Sequence, residues 1–201
     1  MARSGPVTIL GIDPGLTCTG YGVISADGST HRCLQFGAVT PPPRAPHPEK
    51  LIRIHEAIVD IIREHRPQEV AVEDFLLGYT RAAVAVGEAR AVAVLAAAQA
   101  GLPVTVYKPT EVKQFVTSYG RGSKEQVALM VQALLALTEP PTPTDAADAL
   151  AVALCHALKR GSAALVEVPI VSPRPRTAEG PGASSLFPLP TSRGVVGRKG
   201  Q

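Results

Sequence analysis

A chain of 201 residues that is 45% hydrophobic, 4% aromatic and without Trp makes one domain with appendages, its core built from Ala, Val, Leu and Ile. The net charge of +3 is a weak pointer to an anionic partner and sits wholly in the tail: residues 161–201 set Arg174, Arg176, Arg193, Arg198 and Lys199 against Glu167 and Glu179, leaving residues 1–160 balanced. Scattered Cys18, Cys33 and Cys155 form no CxxC pair, which argues against zinc and redox motifs; with no apolar signal core, and with Glu88 and Arg90 breaking the longest apolar run, a cytoplasmic protein with no membrane span is expected.

In chain order, Val7, Ile9, Leu10 and Ile12 predict a buried strand over 7–13 that ends in the carboxylate of Asp13 and turns on Pro14-Gly15. A metal ion, a basic side chain or water at the strand end would meet that charge. Strands follow at 20–26 and 31–39, joined by an Asp27-Gly28 hairpin turn, and then a stiff linker, "TPPPRAPHP", over 40–48. Leu51, Ile54, Ile58, Ile61 and Ile62 give helical spacing to 49–65, and "EVAVE" predicts a short buried strand over 69–73, again ending in an acid. Residues 81–100 predict a helix that is apolar nearly all round, either buried on several sides or shared with a second copy, and closed by Gly101. A strand over 103–107, a helix over 109–118, a helix over 123–137 opened by Ser123, and a helix from a Thr144 cap to about Lys159 complete the order. Three strands joined by hairpins and then strands alternating with helices predict an α/β fold with a mixed five-stranded sheet flanked by helices. This domain spans 1–160, and the Pro-, Gly- and Ser-rich segment 161–201 reads as a disordered or peripheral basic tail.

The acids carry the chemistry. Asp13 and Glu73 fall at strand C-terminal ends, the edge where open α/β sheets place their sites. Asp145 and Asp148, three residues apart, share a face of the last helix's first turn. Taken singly, Asp145 is also explained as a helix-dipole partner and Glu73 as a solvated strand end, and Asp74 beside Glu73 leaves the choice of acid open until strand alternation favours Glu73. Four carboxylates gathered in one place repel unless cations neutralise them, and Mg²⁺ or Mn²⁺ suits an all-oxygen set. Two such ions per subunit would activate a water and stabilise the leaving oxygen of a phosphodiester.

The stretches "ILGIDPGLTCTGYGVI", "VAVEDFL", "VGEARAV", "EVKQFVTSYGRGSKEQVALMV" and "DAADALAVALCHA" resemble, in order, those of the RuvC family of Holliday-junction resolvases, over roughly residues 7–158. The resemblance implies a ribonuclease-H-like fold, a homodimer, and Mg²⁺- or Mn²⁺-dependent nicking of four-way DNA junctions in recombination and repair, leaving 5′-phosphate and 3′-hydroxyl ends. It also implies partnership with the RuvA–RuvB branch-migration complex. The family's acidic positions fall on Asp13, Glu73, Asp145 and Asp148, and its junction-contacting lysines on Lys113 and Lys124. The family often has a DNA-contacting aromatic where this chain has Leu76, with Phe75 one residue earlier; Phe75 either stacks on a base or packs under its loop.

Competing readings are an actin-like or sugar-kinase ATPase, a junction binder without catalysis, and a nuclease for RNA–DNA hybrids. The first requires a second such domain and a second phosphate loop. All four acids speak against the second reading, and the lysine segments speak against the third. His156, on the apolar last helix, reads as a packed, hydrogen-bonded residue rather than a base.

Overall fold

A computed structural model of the chain describes residues 5–74, 80–117 and 123–161. Five strands, β1 (Val7–Asp13), β2 (Thr19–Asp27), β3 (Thr30–Val39), β4 (Glu69–Glu73) and β5 (Val104–Tyr107), form one sheet in the order β3-β2-β1-β4-β5. The hairpins β1–β2 and β2–β3 are antiparallel, while β1–β4 and β4–β5 are parallel. The mixed five-stranded sheet expected from the sequence is therefore present.

Strand alternation divides the apolar residues between two cores. Ile9, Ile24 and Ala71 face helices α3 (Pro109–Thr117), α4 (Lys124–Leu134) and α5 (Thr144–Gly161), meeting Val112, Val127, Val131, Leu150 and Leu154. Leu10, Ile12, Val70 and Val72 face α1 (His47–His65) and α2 (Arg81–Gln99), meeting Ile54, Ile58, Ala89 and Ala93. Each fully buried Ile or Leu contributes roughly 1.5–3 kcal/mol.

Helix α5 is rich in alanine because it lies directly on backbone. A Cβ added to Gly11 would stand 2.2 Å from the Ala149 carbonyl oxygen, and one added to Gly20 would stand 1.9 Å from that of Asp145. Only glycine at these two strand positions lets the helix approach so closely.

Several boundaries differ from the sequence expectation. Helix α1 starts at His47, inside the proline-rich run, because Pro48 occupies the first turn where no N–H is needed. Helix α4 ends at Leu134 rather than 137: Ala136 takes φ +50°, and Leu137 N–H returns to the Gln132 carbonyl. Helix α5 includes Thr144 rather than being capped by it, since Ala147 N–H donates to the Pro143 carbonyl at 3.3 Å. Ser123 does cap α4, in a reciprocal box with Gln126. Gly101, at φ +71°, closes α2 as expected.

By length and composition α2 is apolar enough to cross a membrane, but Ala89, Ala93, Ala96 and Ala97 join the core beneath it. Val84 and Leu95 on its other side are exposed.

Candidate active site

Asp13 and Glu73 end neighbouring parallel strands, one step beyond the paired residues Ile12 and Val72. Alternation sends both side chains to the α5 face, the side of Gly11 and Ala71. Asp13 lies opposite Gly20, and because Gly20 has no side chain the first turn of α5 settles there with Asp145, Asp148 following one turn on. The turn after Asp13 is fixed by Thr19, whose buried hydroxyl donates to the Gly15 carbonyl at 2.6 Å.

Two neighbouring clefts share Glu73. One, of about 250 Å³, is lined by Asp13, Glu73 and Asp145 together with Gly15, Cys18 and Asp74. The other, of about 140 Å³, is lined by Glu73 and Asp148 together with Lys113 and Lys124. The structure thus brings Asp13, Glu73, Asp145, Asp148, Lys113 and Lys124 to one end of the sheet. Phe75 and Leu76 lie outside the described residues.

The electrostatics follow from this crowding. Burial, with Asp148 and Asp145 nearby, pushes the Asp13 carboxyl up to about 6, although its hydrogen bond with Glu73 and the charge of Lys124 oppose the rise. Burial and the Asp13 charge push Glu73 up to about 8. A protonated Glu73 donating to the Asp13 carboxylate is the arrangement these directions describe. Lys124 Nζ donates to Asp148 Oδ2 at 3.1 Å, which holds the lysine above its usual range.

Among the described residues, no group of three or more His, Cys, Asp or Glu side chains is already gathered as a metal cage. The donor set nonetheless suits a hard divalent cation. Its oxygens are all carboxylate, and the upward shifts of Asp13 and Glu73, caused first by burial and then by neighbouring carboxylate charge, record a cost that a cation would relieve.

Strand alternation also separates Glu73 from Asp74. Glu73 faces α5, whereas Asp74 accepts a hydrogen bond from the Arg90 guanidinium on α2. Sequence reasoning missed Arg90 as a partner; an Arg at a fixed place on the helix packed behind the strand end was the available signal. It also missed Cys18, whose thiol is hydrogen-bonded to Asp145; burial and that bond hold it protonated. His156 is packed, as expected. Its Nδ1 meets the Tyr107 hydroxyl at 2.8 Å and its Nε2 meets Glu69 at 2.7 Å, tying α5 to β5 and β4.

The family model described as crossover junction endodeoxyribonuclease RuvC matches residues 9–156. A crossover junction endodeoxyribonuclease RuvC of Pelotomaculum thermopropionicum is 49% identical over 150 residues, 74% of this chain and 92% of the relative. That of Rubrobacter xylanophilus is 47% identical over 161 residues, 80% of this chain and 90% of the relative. Among solved structures, T. thermophilus RuvC in complex with Holliday junction substrate superposes with a TM-score of 0.73 at 39% identity, over 78% of this chain and 96% of that one. The yeast mitochondrial resolvase Ydc2, 12% identical with a TM-score of 0.55 over 79% of this chain and 85% of its own, shares the fold. With the family model spanning the acids of β1, β4 and α5, the chain belongs to the RuvC family of crossover junction endodeoxyribonucleases.

Proposed function

We propose that this chain resolves four-way DNA junctions by nicking two symmetric strands, each cut leaving a 5′-phosphate and a 3′-hydroxyl. The observation that carries the reading is the convergence of Asp13 and Glu73, from adjacent strands, with Asp145 and Asp148 on the helix seated across them. The nuclease domain is assigned to residues 1–160, and the tail 161–201 to a peripheral role. Asp13, Glu73, Asp145 and Asp148 are the residues that would hold Mg²⁺ or Mn²⁺, two ions per subunit.

When bound, such ions supply Lewis-acid stabilisation of phosphate charge and lower the pKa of a water. The chain's own groups do the rest. Asp13 would be the central ligand, with Glu73, which lines both clefts, and Asp148 completing the set. Asp145 opens onto the cleft of Asp13 and would hold the outer ion or orient the attacking water. Lys113 and Lys124, which line the cleft of Glu73 and Asp148, neutralise the phosphates flanking the cut. Water adds to phosphorus as the bond to the 3′ oxygen breaks; that oxygen takes a proton, and the phosphate stays on the 5′ end.

Two symmetric cuts call for two sites, and a homodimer supplies them. Support comes from the outer side of α2, where Ala91, Val94, Leu95 and Ala98 form with Val106 of β5 a mostly apolar groove of about 650 Å³, with Arg90 also lining it. Partnership with the RuvA–RuvB complex rests on the family resemblance. The thiols Cys18, Cys33 and Cys155, all unbridged, fit a reducing cytoplasm.

The test is incubation of a synthetic four-way junction with the chain in Mg²⁺ and in Mn²⁺. Paired, ligatable nicks that Asp13→Asn abolishes are expected. Nicking by Asp13→Asn at the unmodified rate, or ATP hydrolysis without DNA, would overturn the reading.

A further inference from the structure

We infer that Arg90 is a positioning residue for the acid cluster, acting through Asp74 on the end of β4; the inference rests on the nuclease reading above. Two acids stand side by side at that strand end, and they are used differently. Glu73 turns to α5 and the other acids, while Asp74 turns to α2 and takes the Arg90 guanidinium. Arg90 is well placed to be an anchor. It follows buried Ala89 and precedes buried Ala93, the residues that fix α2 on the sheet, so its backbone is held in place.

Asp74 is held at a second point, since its N–H donates to the Tyr107 carbonyl at 2.6 Å, the last rung between β4 and β5. Strand β4 is only five residues long, and Glu73 is its final residue. Its carboxylate is therefore aimed by whatever fixes the next peptide, and the backbone rung and the Arg90 ion pair both do so.

The ion pair has an electrostatic role as well. Asp74 lines the same cleft as Asp13, Glu73 and Asp145. Uncancelled, it would add a further negative charge to a cluster whose members already repel. Arg90 cancels it from the far side of the strand without entering the cleft that a cation and a phosphate would occupy. Its planar fork, always charged, suits this better than a lysine on a flexible stem. The pair is about one-third exposed, with side-chain exposures of 33% and 34%, so solvent screens its charge and aiming the strand end is the larger of its two contributions.

The experiment compares the full chain with Arg90→Gln, Asp74→Asn, the double variant and Arg90→Lys. Mn²⁺ binding without DNA is read by calorimetry, and junction nicking is resolved into kcat and KM. Thermal melts check folding. Arg90→Gln is expected to weaken Mn²⁺ binding about tenfold and to lower kcat with little change in junction KM. Arg90→Lys should recover part of the loss. Because Arg90 acts through Asp74, the double variant should be no worse than Arg90→Gln. Wild-type Mn²⁺ isotherms and kcat in Arg90→Gln, or losses that simply add in the double variant, would overturn the inference. Should Arg90→Gln fail to fold, Asp74→Asn and Arg90→Lys decide by the same isotherms. A wild-type chain that binds Mn²⁺ but never nicks junctions removes the nuclease reading and leaves Arg90 judged on binding alone; one that binds no Mn²⁺ overturns both.

Discussion

Lys124 Nζ rests 3.1 Å from Asp148 Oδ2, bridging the first turn of α4 to the second turn of α5. The lysine is largely exposed, at 66%, while its partner is not, at 19%, so the ammonium lies at the rim of the acid cluster with one side toward solvent. A phosphate arriving from that side meets a cation already aligned with the acids.

Lys124→Ala should therefore weaken junction binding across sequences and lower the slope of log affinity against log salt by about 1. Filter binding at several salt concentrations measures both. An unchanged salt slope would place Lys124 outside the DNA interface.

The strand-end acids make stability depend on pH with a definite sign. Asp13 and Glu73 have folded pKa values raised, to about 6 and about 8, above the ordinary 3.8 and 4.5. The folded state thus binds protons more tightly than the unfolded chain. The stability this confers is complete below about pH 4 and is lost as pH rises through 6 and toward 8. In EDTA, Asp13→Asn and Glu73→Gln should raise the Tm at pH 8, by about 2–4 °C for each kcal/mol recovered, and should shrink that gain toward pH 4. Glu69 works in the opposite sense within its own range. The hydrogen bond from His156, and then its charge and that of Arg160, hold Glu69 below 4.5 despite burial, so its contribution fades only as pH falls below that value.

Divalent ions should reverse the alkaline loss. Mn²⁺ or Mg²⁺ requires deprotonated carboxylates, so the Tm gain on adding either should be larger at pH 8 than at pH 5.5. Scanning calorimetry at the two pH values tests this, and EDTA should return the melt to its starting point and stop nicking. An ion-induced gain retained by Asp13→Asn would place the ion elsewhere.

Gly20→Ala should lift the start of α5 off the sheet, because the new methyl carbon would fall 1.9 Å from the Asp145 carbonyl oxygen. A cost of about 1–3 kcal/mol in unfolding free energy is expected, together with a loss of nicking larger than that fold loss explains. Denaturant titration beside single-turnover cleavage separates the two effects.

Leu95→Glu places a charge in the apolar groove of α2, on a side chain already 51% exposed. Sedimentation should then report a monomer with an unchanged melt, and paired nicks should become single ones. A dimer that persists would move the interface away from this groove.

Much of this architecture is legible in the sequence because the signals are local. Strands β1 and β4 run over the predicted residues, and their alternation is enough to put Asp13 and Glu73 on one face. Asp145 and Asp148 are three apart at the start of a helix whose next seven residues are all apolar, a pattern that marks the pair. What stayed hidden depends on contacts between distant segments or on chain geometry without a marker residue. Ala136 ends α4 in a left-handed turn that Gly would have announced. Arg90 finds Asp74 only once α2 is packed on the sheet, and Cys18 finds Asp145 only once α5 is seated.

The seating of α5 across β1 and β2 has a consequence for the life of the protein in a cell full of DNA. Asp13, Glu73 and the Asp145–Asp148 pair come from widely separated stretches, and the pair stands on the last of the described elements. A nascent or partly unfolded chain can assemble the hairpins early, but until α5 docks it would hold at most two of the four acids proposed to cut. Nicking by the proposed centre would therefore wait until α5 docks, so a growing polypeptide could not cut DNA before that helix is in place.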